Sequence, residues 1–179
     1  MKRYADDYKI VVEVDEKGKE RKKAVYNRNY FSVSLDEQGL KEIKRNSLIL
    51  FILIVILHVT AGFLSSQGMY QFYVAFPYVF AFLPLYFLIA GILRLPKEKR
   101  PYRRDEIGHS FRRMKKNSLA LFILLAIAVI GEFVFLVFFY SLPNSQEYPF
   151  LFSEVVAGIL AYFLVRLQLP VQISELGNV

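Results

Sequence analysis

The 179-residue sequence contains no cysteine, no tryptophan and only two histidines. The absence of cysteine excludes disulfide scaffolds, thiolate metal sites and cysteine nucleophiles from this chain. Basic residues are also missing from two long stretches, residues 47–93 and 117–165, although the chain has 23 Lys and Arg in total. This distribution excludes a soluble globular domain and predicts a small protein with several membrane-spanning segments.

Four apolar segments are long enough to cross a bilayer, which requires about 20 mostly apolar residues in a helix. They cover residues 47–64, 70–93, 118–140 and 150–167. Residues 48–57 contain no polar position, whereas a helix of a soluble bundle keeps a polar face opposite its apolar stripe. We therefore predict an all-α integral membrane protein with four transmembrane helices.

The basic residues predict how these helices are oriented. Residues 1–46 hold 12 Lys and Arg, residues 94–116 hold 10, and the turns at 65–69 and 141–149 hold none. Because Lys and Arg concentrate in short cytoplasmic loops, we expect both termini and the central loop in the cytoplasm. No apolar run lies near the start of the chain, so we expect no cleaved signal peptide. These patterns predict a multi-pass protein of the cell membrane.

An internal similarity suggests that the chain arose by duplication. Residues 44–56 match residues 115–127 at nine of 13 positions, including a polar junction Lys-(Arg/Lys)-Asn-Ser-Leu. We expect residues 35–96 and 97–170 to form two tandem helical hairpins with the same orientation, related by an axis along the membrane normal. Chance similarity between two apolar runs is the alternative explanation.

A helix is predicted to lead into the first span of each repeat. Ser34 and Glu37 have the spacing of a capping box, which places the first helix start at Ser34. Residues 105–116 predict a basic amphipathic helix that lies on the headgroups of an anionic leaflet. The residues expected to contact the membrane surface or anionic lipid are Arg94, Arg112, Arg113, Lys115, Lys116 and Arg166.

The same charges have a simpler explanation, because basic residues beside membrane spans fix topology without binding anything. A net charge of +7 that is concentrated beside the predicted spans does not indicate nucleic-acid binding.

The first 34 residues differ in composition from the rest of the chain. Residues 8–14, 22–26 and 30–34 are rich in β-branched and aromatic residues and are separated by Gly, Asn and Asp. This pattern predicts a β-hairpin or a three-strand meander in a cytoplasmic cap. About 30 residues are too few to fold alone, so the strands should pack on the membrane domain or extend a partner's sheet. A disordered charged tail is the alternative, and residues 171–179 are expected to form a short cytoplasmic tail.

Few residues have catalytic potential. The sequence has no His-x-x-x-His pair, no Gly-rich phosphate loop and no Gly-x-Ser-x-Gly motif. We therefore expect no enzyme activity, no metal site and no cofactor. A membrane enzyme acting on lipid is disfavoured because no nucleophile–base pair is recognisable.

Polar residues within the predicted spans are the remaining candidates, because burying them in a bilayer is costly and they are often functional. His58, Glu132 and Glu154 could meet in the outer half of one bundle. The alternative is that the two glutamates reach water at the outer interface or bond a neighbouring helix. Pro77 and Pro84 lie seven residues apart and are expected to kink the second span on one face.

These observations favour a non-catalytic integral subunit of a larger membrane assembly, such as an accessory subunit of a transporter. The alternative is a small oligomeric transporter or channel that uses His58, Glu132 and Glu154. The expected partners are an anionic cytoplasmic leaflet and other membrane subunits or further copies of the chain.

Overall fold

The computed structural model describes residues 2–14, 20–138 and 145–176. Its long helices are α1 Glu37–Ala61, α2 Phe72–Phe80, α3 Phe82–Leu93, α5 Phe111–Phe138 and α6 Glu147–Gln168, with a short α4 at Arg104–His109. Lys2–Asp7 and Gly68–Tyr70 form 3₁₀-helices. Four helical segments, with α2 and α3 counted as one and α4 and α5 as another, are long and apolar enough to cross a membrane. The prediction of a mostly helical protein with four such segments is confirmed.

The N-cap of helix α1 lies two residues after the predicted N-cap. Asp36, rather than Ser34, is the N-cap, and its carboxylate accepts a hydrogen bond from the Gly39 amide at 2.8 Å. The prediction of Ser34 as the cap was wrong because either residue can cap a helix, and the spacing to Glu37 does not decide between them. From Glu37 the helix continues for 25 residues, so the lead-in helix and the first span are one element.

The second span is interrupted at Ala81, between the two prolines. Pro77 lies inside α2, and Pro84 lies in the first turn of α3. Because Pro77 has no amide hydrogen, it cannot bond the carbonyl of Tyr73. That carbonyl faces Gly131 of α5, where an added Cβ would lie 2.9 Å from the oxygen. The glycine therefore allows α2 and α5 to approach closely at this point.

The predicted amphipathic helix over 105–116 is divided in two. Helix α4 ends at His109, and Ser110 takes a non-helical conformation with φ −107° and ψ −93°. Helix α5 starts at Phe111 and runs on to Phe138 without interruption. The basic residues after Ser110 thus belong to the same helix as the third span, and the expectation of one separate amphipathic helix was wrong.

The four apolar segments pack as a bundle in which α5 contacts α2, α3 and α6, while α1 packs mainly on α6. Leu40, Ile54, Leu88, Leu121 and Leu125 are fully buried in its core. A two-fold axis would relate the α1–α6 contact to the contact of α5 with α2 and α3. The two hairpins nevertheless differ, because α5 packs tightly on α6 whereas α1 contacts α3 far less. The duplication is not confirmed and stays a prediction.

Four short strands lie outside the bundle. Strands β1 Tyr8–Val14 and β2 Glu20–Tyr26 form an antiparallel hairpin with Tyr8 opposite Tyr26. Strand β3 Phe31–Val33 does not join them but pairs with β4 Ile173–Glu175 near the C-terminus. The hairpin prediction is confirmed, whereas the alternative of a three-strand meander is wrong, and the predicted C-terminal tail contributes a strand. Sequence patterns missed this pairing because β3 and β4 have three residues each and lie far apart in the chain.

The two ends of the bundle differ in character. We call the end where α1 and α5 begin the basic end, since the strands and nearly all Lys and Arg lie there. The opposite end carries the connection from α1 to α2 and residues 145–146 before α6, and we call it the turn end.

Candidate functional site

The structure brings His58 of α1 and Glu154 of α6 into direct contact inside the bundle. His58 Nδ1 lies 2.9 Å and 3.1 Å from the two carboxylate oxygens of Glu154, and neither side chain is exposed. His58 Nε2 lies 3.2 Å from the carbonyl oxygen of Tyr78 in α2. One histidine therefore connects α1 with both α2 and the distant α6.

Both ring nitrogens of His58 have a hydrogen-bond partner. Nε2 lies beside a backbone carbonyl oxygen, which only accepts, and Nδ1 lies beside the carboxyl group of Glu154. The polar atoms of the imidazole are therefore satisfied in a site that is closed to solvent.

Two aromatic side chains pack on the His58 ring. The centre of the Tyr78 ring lies 4.3 Å from the centre of the His58 ring, and the centre of the Phe82 ring lies 4.8 Å from it. The Tyr78 hydroxyl donates to the His58 carbonyl at 2.7 Å, and a side chain at Gly62 would overlap this hydroxyl. Ser153 Oγ donates to the Leu57 carbonyl at 3.0 Å. These contacts connect α1 to α2 and to α6.

Glu132 is not part of this cluster, although the sequence suggested that the three residues could meet. It lies on α5 and is fully buried, and neither carboxyl oxygen has a hydrogen-bond partner among the residues that the structure describes. Its carboxyl group lies against Gly68 in the turn before α2, where an added Cβ would overlap it. A buried polar group without a partner is costly, and among the described residues Glu132 has both carboxyl oxygens in this state.

Glu147, at the start of α6, is a buried residue of the turn end that sequence reasoning did not select. Its carboxylate accepts hydrogen bonds from Ser66 Oγ at 2.6 Å and from the Gln67 amide at 2.5 Å. Glu132 and Glu147 therefore approach the same turn, Glu132 at Gly68 and Glu147 at Gln67. Gln146 also accepts a hydrogen bond from the Ser65 amide. These bonds connect the turn after α1 to the beginning of α6.

A signal for Glu147 was present in the sequence. An acidic residue in the first turn of a helix is favoured by the helix dipole, and the turn at 65–69 contains two serines, a glutamine and a glycine, whose amide and hydroxyl groups can donate hydrogen bonds. What the sequence did not show is that these two turns, about 80 residues apart, lie side by side.

The basic residues selected from the sequence do not form a single surface. Arg94, Arg112, Arg113 and Lys116 line one groove of about 850 Å³ at the basic end. Lys115 lines a separate cavity beside Phe111 and Gln168. Arg166 lies in a shallow depression between α1 and α6. Four of the six predicted membrane-surface residues therefore converge.

The described residues also bear on metal binding. Within residues 2–14, 20–138 and 145–176, no group of three or more His, Cys, Asp and Glu side chains is arranged to hold a metal ion. The buried carboxyl groups are dispersed: Asp7 lies beside arginines at the basic end, Glu154 contacts His58, and Glu132 and Glu147 lie near the turn end.

Comparison with known proteins adds no family to this geometry. The chain matches no protein-family model, and it has no significant match among curated proteins or solved structures.

Proposed function

We propose that this protein is a non-catalytic subunit of a larger assembly in the cell membrane and presents its β1–β2 hairpin to a cytoplasmic part of that assembly. The orientation is proposed from the charge asymmetry, because the basic end holds nearly all Lys and Arg and such residues stay in the cytoplasm. Both termini then lie on the cytoplasmic side, and the turn end faces outward.

The observation that carries the proposal is the uncovered apolar face of the hairpin. Ile10, Val12 and Ala24 lie on the same face because Ile10 is opposite Ala24 and Val12 follows two positions later. Ile10 is 72% exposed and Val12 is 50% exposed. An isolated two-stranded hairpin is only marginally stable in water, so covering this face would stabilise it.

The base of the hairpin is fixed to the rest of the protein. The Tyr26 hydroxyl donates to the Asn29 carbonyl at 3.0 Å and accepts from the Arg104 amide at 3.1 Å. Asp7 Oδ1 lies 3.6 Å from Arg28 Nε and 3.5 Å from Arg104 Nη1. The anchored base and the exposed apolar face together support a role for this hairpin in binding a partner.

The interior of the bundle is consistent with a structural role. In the buried His58–Glu154 pair, both ring nitrogens of His58 are hydrogen-bonded, and two aromatic rings pack on the imidazole. Such a pair can fix the positions of helices without any chemistry of its own.

The test is affinity purification of the full chain from its native membrane in mild detergent. An Ile10→Ser/Val12→Ser variant should lose at least tenfold of any partner that co-purifies in stoichiometric amount, because each apolar side chain contributes about 1.5–3 kcal/mol when buried. The matched control is Lys9→Ser/Lys23→Ser on the opposite face of the same hairpin. Equal recovery of the partner with both variants would contradict the proposal.

A small oligomeric transporter or channel is the second candidate function, and one observation favours it. The unpartnered carboxyl group of Glu132 is the kind of intramembrane group that binds a proton or cation in transporters. Ion flux into proteoliposomes of the purified chain, abolished by Glu132→Gln and unchanged by Ile10→Ser/Val12→Ser, would replace the subunit proposal with this one.

A further inference from the structure

The geometry points to a binding site for one anionic phospholipid at the basic end, where its phosphate group would lie among Arg94, Arg112, Arg113 and Lys116. We call this cavity the basic groove. Its remaining wall contains Tyr4, Phe87, Asp105, Gly108, His109 and Asn117. The inference goes beyond the proposed function, because it names a lipid ligand that a subunit need not have.

The first argument is the charge balance of the basic groove. Four cationic side chains line it against one carboxylate, that of Asp105. Among the residues that the structure describes, none of the four cations forms an ion pair. The contrast with the neighbouring arginines is direct, because Arg100 pairs with Glu106 at 2.5 Å and Arg104 with Asp7. The groove therefore holds positive charge that the protein itself does not neutralise.

The second argument is that the fold builds the concavity. The break at Ser110 turns α4 away from α5, so that residues before and after it form two sides of the groove. Gly91 allows α3 to approach α5, since an added Cβ there would lie 3.1 Å from the Met114 amide nitrogen. Gly108 allows Tyr4 to close another side, because a side chain at Gly108 would overlap the Tyr4 hydroxyl. Basic residues that served only to fix the membrane topology would not need to line a concave groove.

The guanidinium group of Arg113 is oriented by its neighbours. It donates a hydrogen bond to His109 Nδ1 at 3.2 Å and lies 5.8 Å from the centre of the Phe87 ring. Arginine in a fixed orientation binds phosphate with paired hydrogen bonds. Basic pockets between helices at the cytoplasmic side are typical sites for lipid headgroups.

The third argument distinguishes a lipid from a free phosphate ion. Phe87 lies seven residues before Arg94 on α3, which places it about 10 Å further toward the middle of the membrane on the same helix face. Phe87 is 37% exposed and lines the groove. A ligand with its phosphate beside Arg94 would run an acyl chain past this ring, so the groove offers contacts to both parts of a phospholipid.

The experiment uses the full chain purified in an uncharged detergent. Native mass spectrometry would count retained lipid after addition of phosphatidylglycerol or phosphatidylcholine, and the wild-type chain should retain the anionic lipid at least tenfold better. An Arg112→Gln/Arg113→Gln/Lys116→Gln variant should lose this preference. The matched control, Lys97→Gln/Lys99→Gln/Arg100→Gln, removes the same charge from exposed residues of the same end and should keep the preference.

Two further measurements separate the remaining outcomes. The single variant Arg94→Gln changes the other wall of the basic groove and should lose at least threefold of the preference, while circular dichroism verifies that each variant is folded. Inorganic phosphate in excess should not displace the lipid, and displacement would show that the site binds the free anion instead. If the triple variant and its control lost the preference for anionic lipid equally, net charge alone would explain that preference. This result would overturn the proposal.

Discussion

His58 Nδ1 and Glu154 Oε1 lie 2.9 Å apart, although 96 residues separate them in the chain. Neither side chain is exposed, so the pair holds α1 against α6 through a contact that water does not reach. Removing one member leaves the other without its main partner in a low-dielectric interior, which is strongly unfavourable.

The first prediction concerns the stability that this pair provides. Glu154→Leu should lower the free energy of unfolding by about 3–5 kcal/mol, because it leaves His58 buried without its hydrogen-bond partner. Glu154→Gln should cost only about 1–2 kcal/mol, because the amide can still hydrogen-bond to the imidazole. Thermal unfolding in detergent would measure both values. If Glu154→Leu and Glu154→Gln proved equally stable, the contact would contribute no specific stability.

The second prediction concerns the close approach of α2 and α5. Gly131→Ala should destabilise the protein by about 1–3 kcal/mol, because the new Cβ would lie 2.9 Å from the Tyr73 carbonyl oxygen. Gly158→Ala is the matched control on α6, since no atom lies within 4 Å of its added Cβ. That variant should be stabilised by about 0.5–1 kcal/mol through helix propensity. The same unfolding measurement would reveal the opposite signs, and equal signs would contradict the packing of α2 on α5.

The third prediction concerns the cost of the unpartnered carboxyl group. Glu132→Leu should leave stability unchanged or raise it by about 1–3 kcal/mol, because an apolar side chain of similar size removes an unsatisfied polar group. Partner retention should remain at the wild-type level if the protein is a structural subunit. A loss of ion flux with intact folding would instead favour the transporter alternative. Glu132→Gln tests the charge alone and should be tolerated.

The fourth prediction concerns orientation in the membrane. Cysteines at Gln67 and Ser145, both exposed at the turn end, should react with an impermeant maleimide added to intact cells. Cysteines at Ser32, which is half-buried, and at Lys99, which is exposed, both lie at the basic end and should react only after the membrane is permeabilised. Ser66 and Ser110 are unsuitable positions because both are buried. Labelling of Lys99→Cys in intact cells would reverse the proposed orientation.

Several features of the fold were predictable because they depend on short stretches of sequence. A helix that crosses a membrane satisfies its backbone hydrogen bonds within the segment, so apolar length alone identified the four helices that are long enough to span one. Alternating β-branched residues around polar punctuation identified the β1–β2 hairpin for the same local reason. Helix starts were less predictable, since Ser34 and Asp36 compete as caps and only the local geometry selects Asp36.

The candidate sites depended on information that no short stretch contains. The sequence could name His58, Glu132 and Glu154 as costly residues in a membrane, but it could not tell which of them meet. The packing of α1 on α6 joins His58 to Glu154. Glu132 instead lies against Gly68, in the turn that also binds Glu147. A two-residue difference along a helix rotates a side chain by about half a turn, so small changes in packing select different partners.

By itself, therefore, the sequence determined which segments are apolar enough to span a membrane, which end carries the positive charge and where a β-hairpin forms. Only the tertiary structure decided that β3 pairs with β4, that Glu147 binds the turn after α1, and that four basic residues share one groove. The physical reason is the range of the interactions. Apolar composition and backbone hydrogen bonding act within one element, whereas these contacts exist only after helices far apart in the chain have packed together.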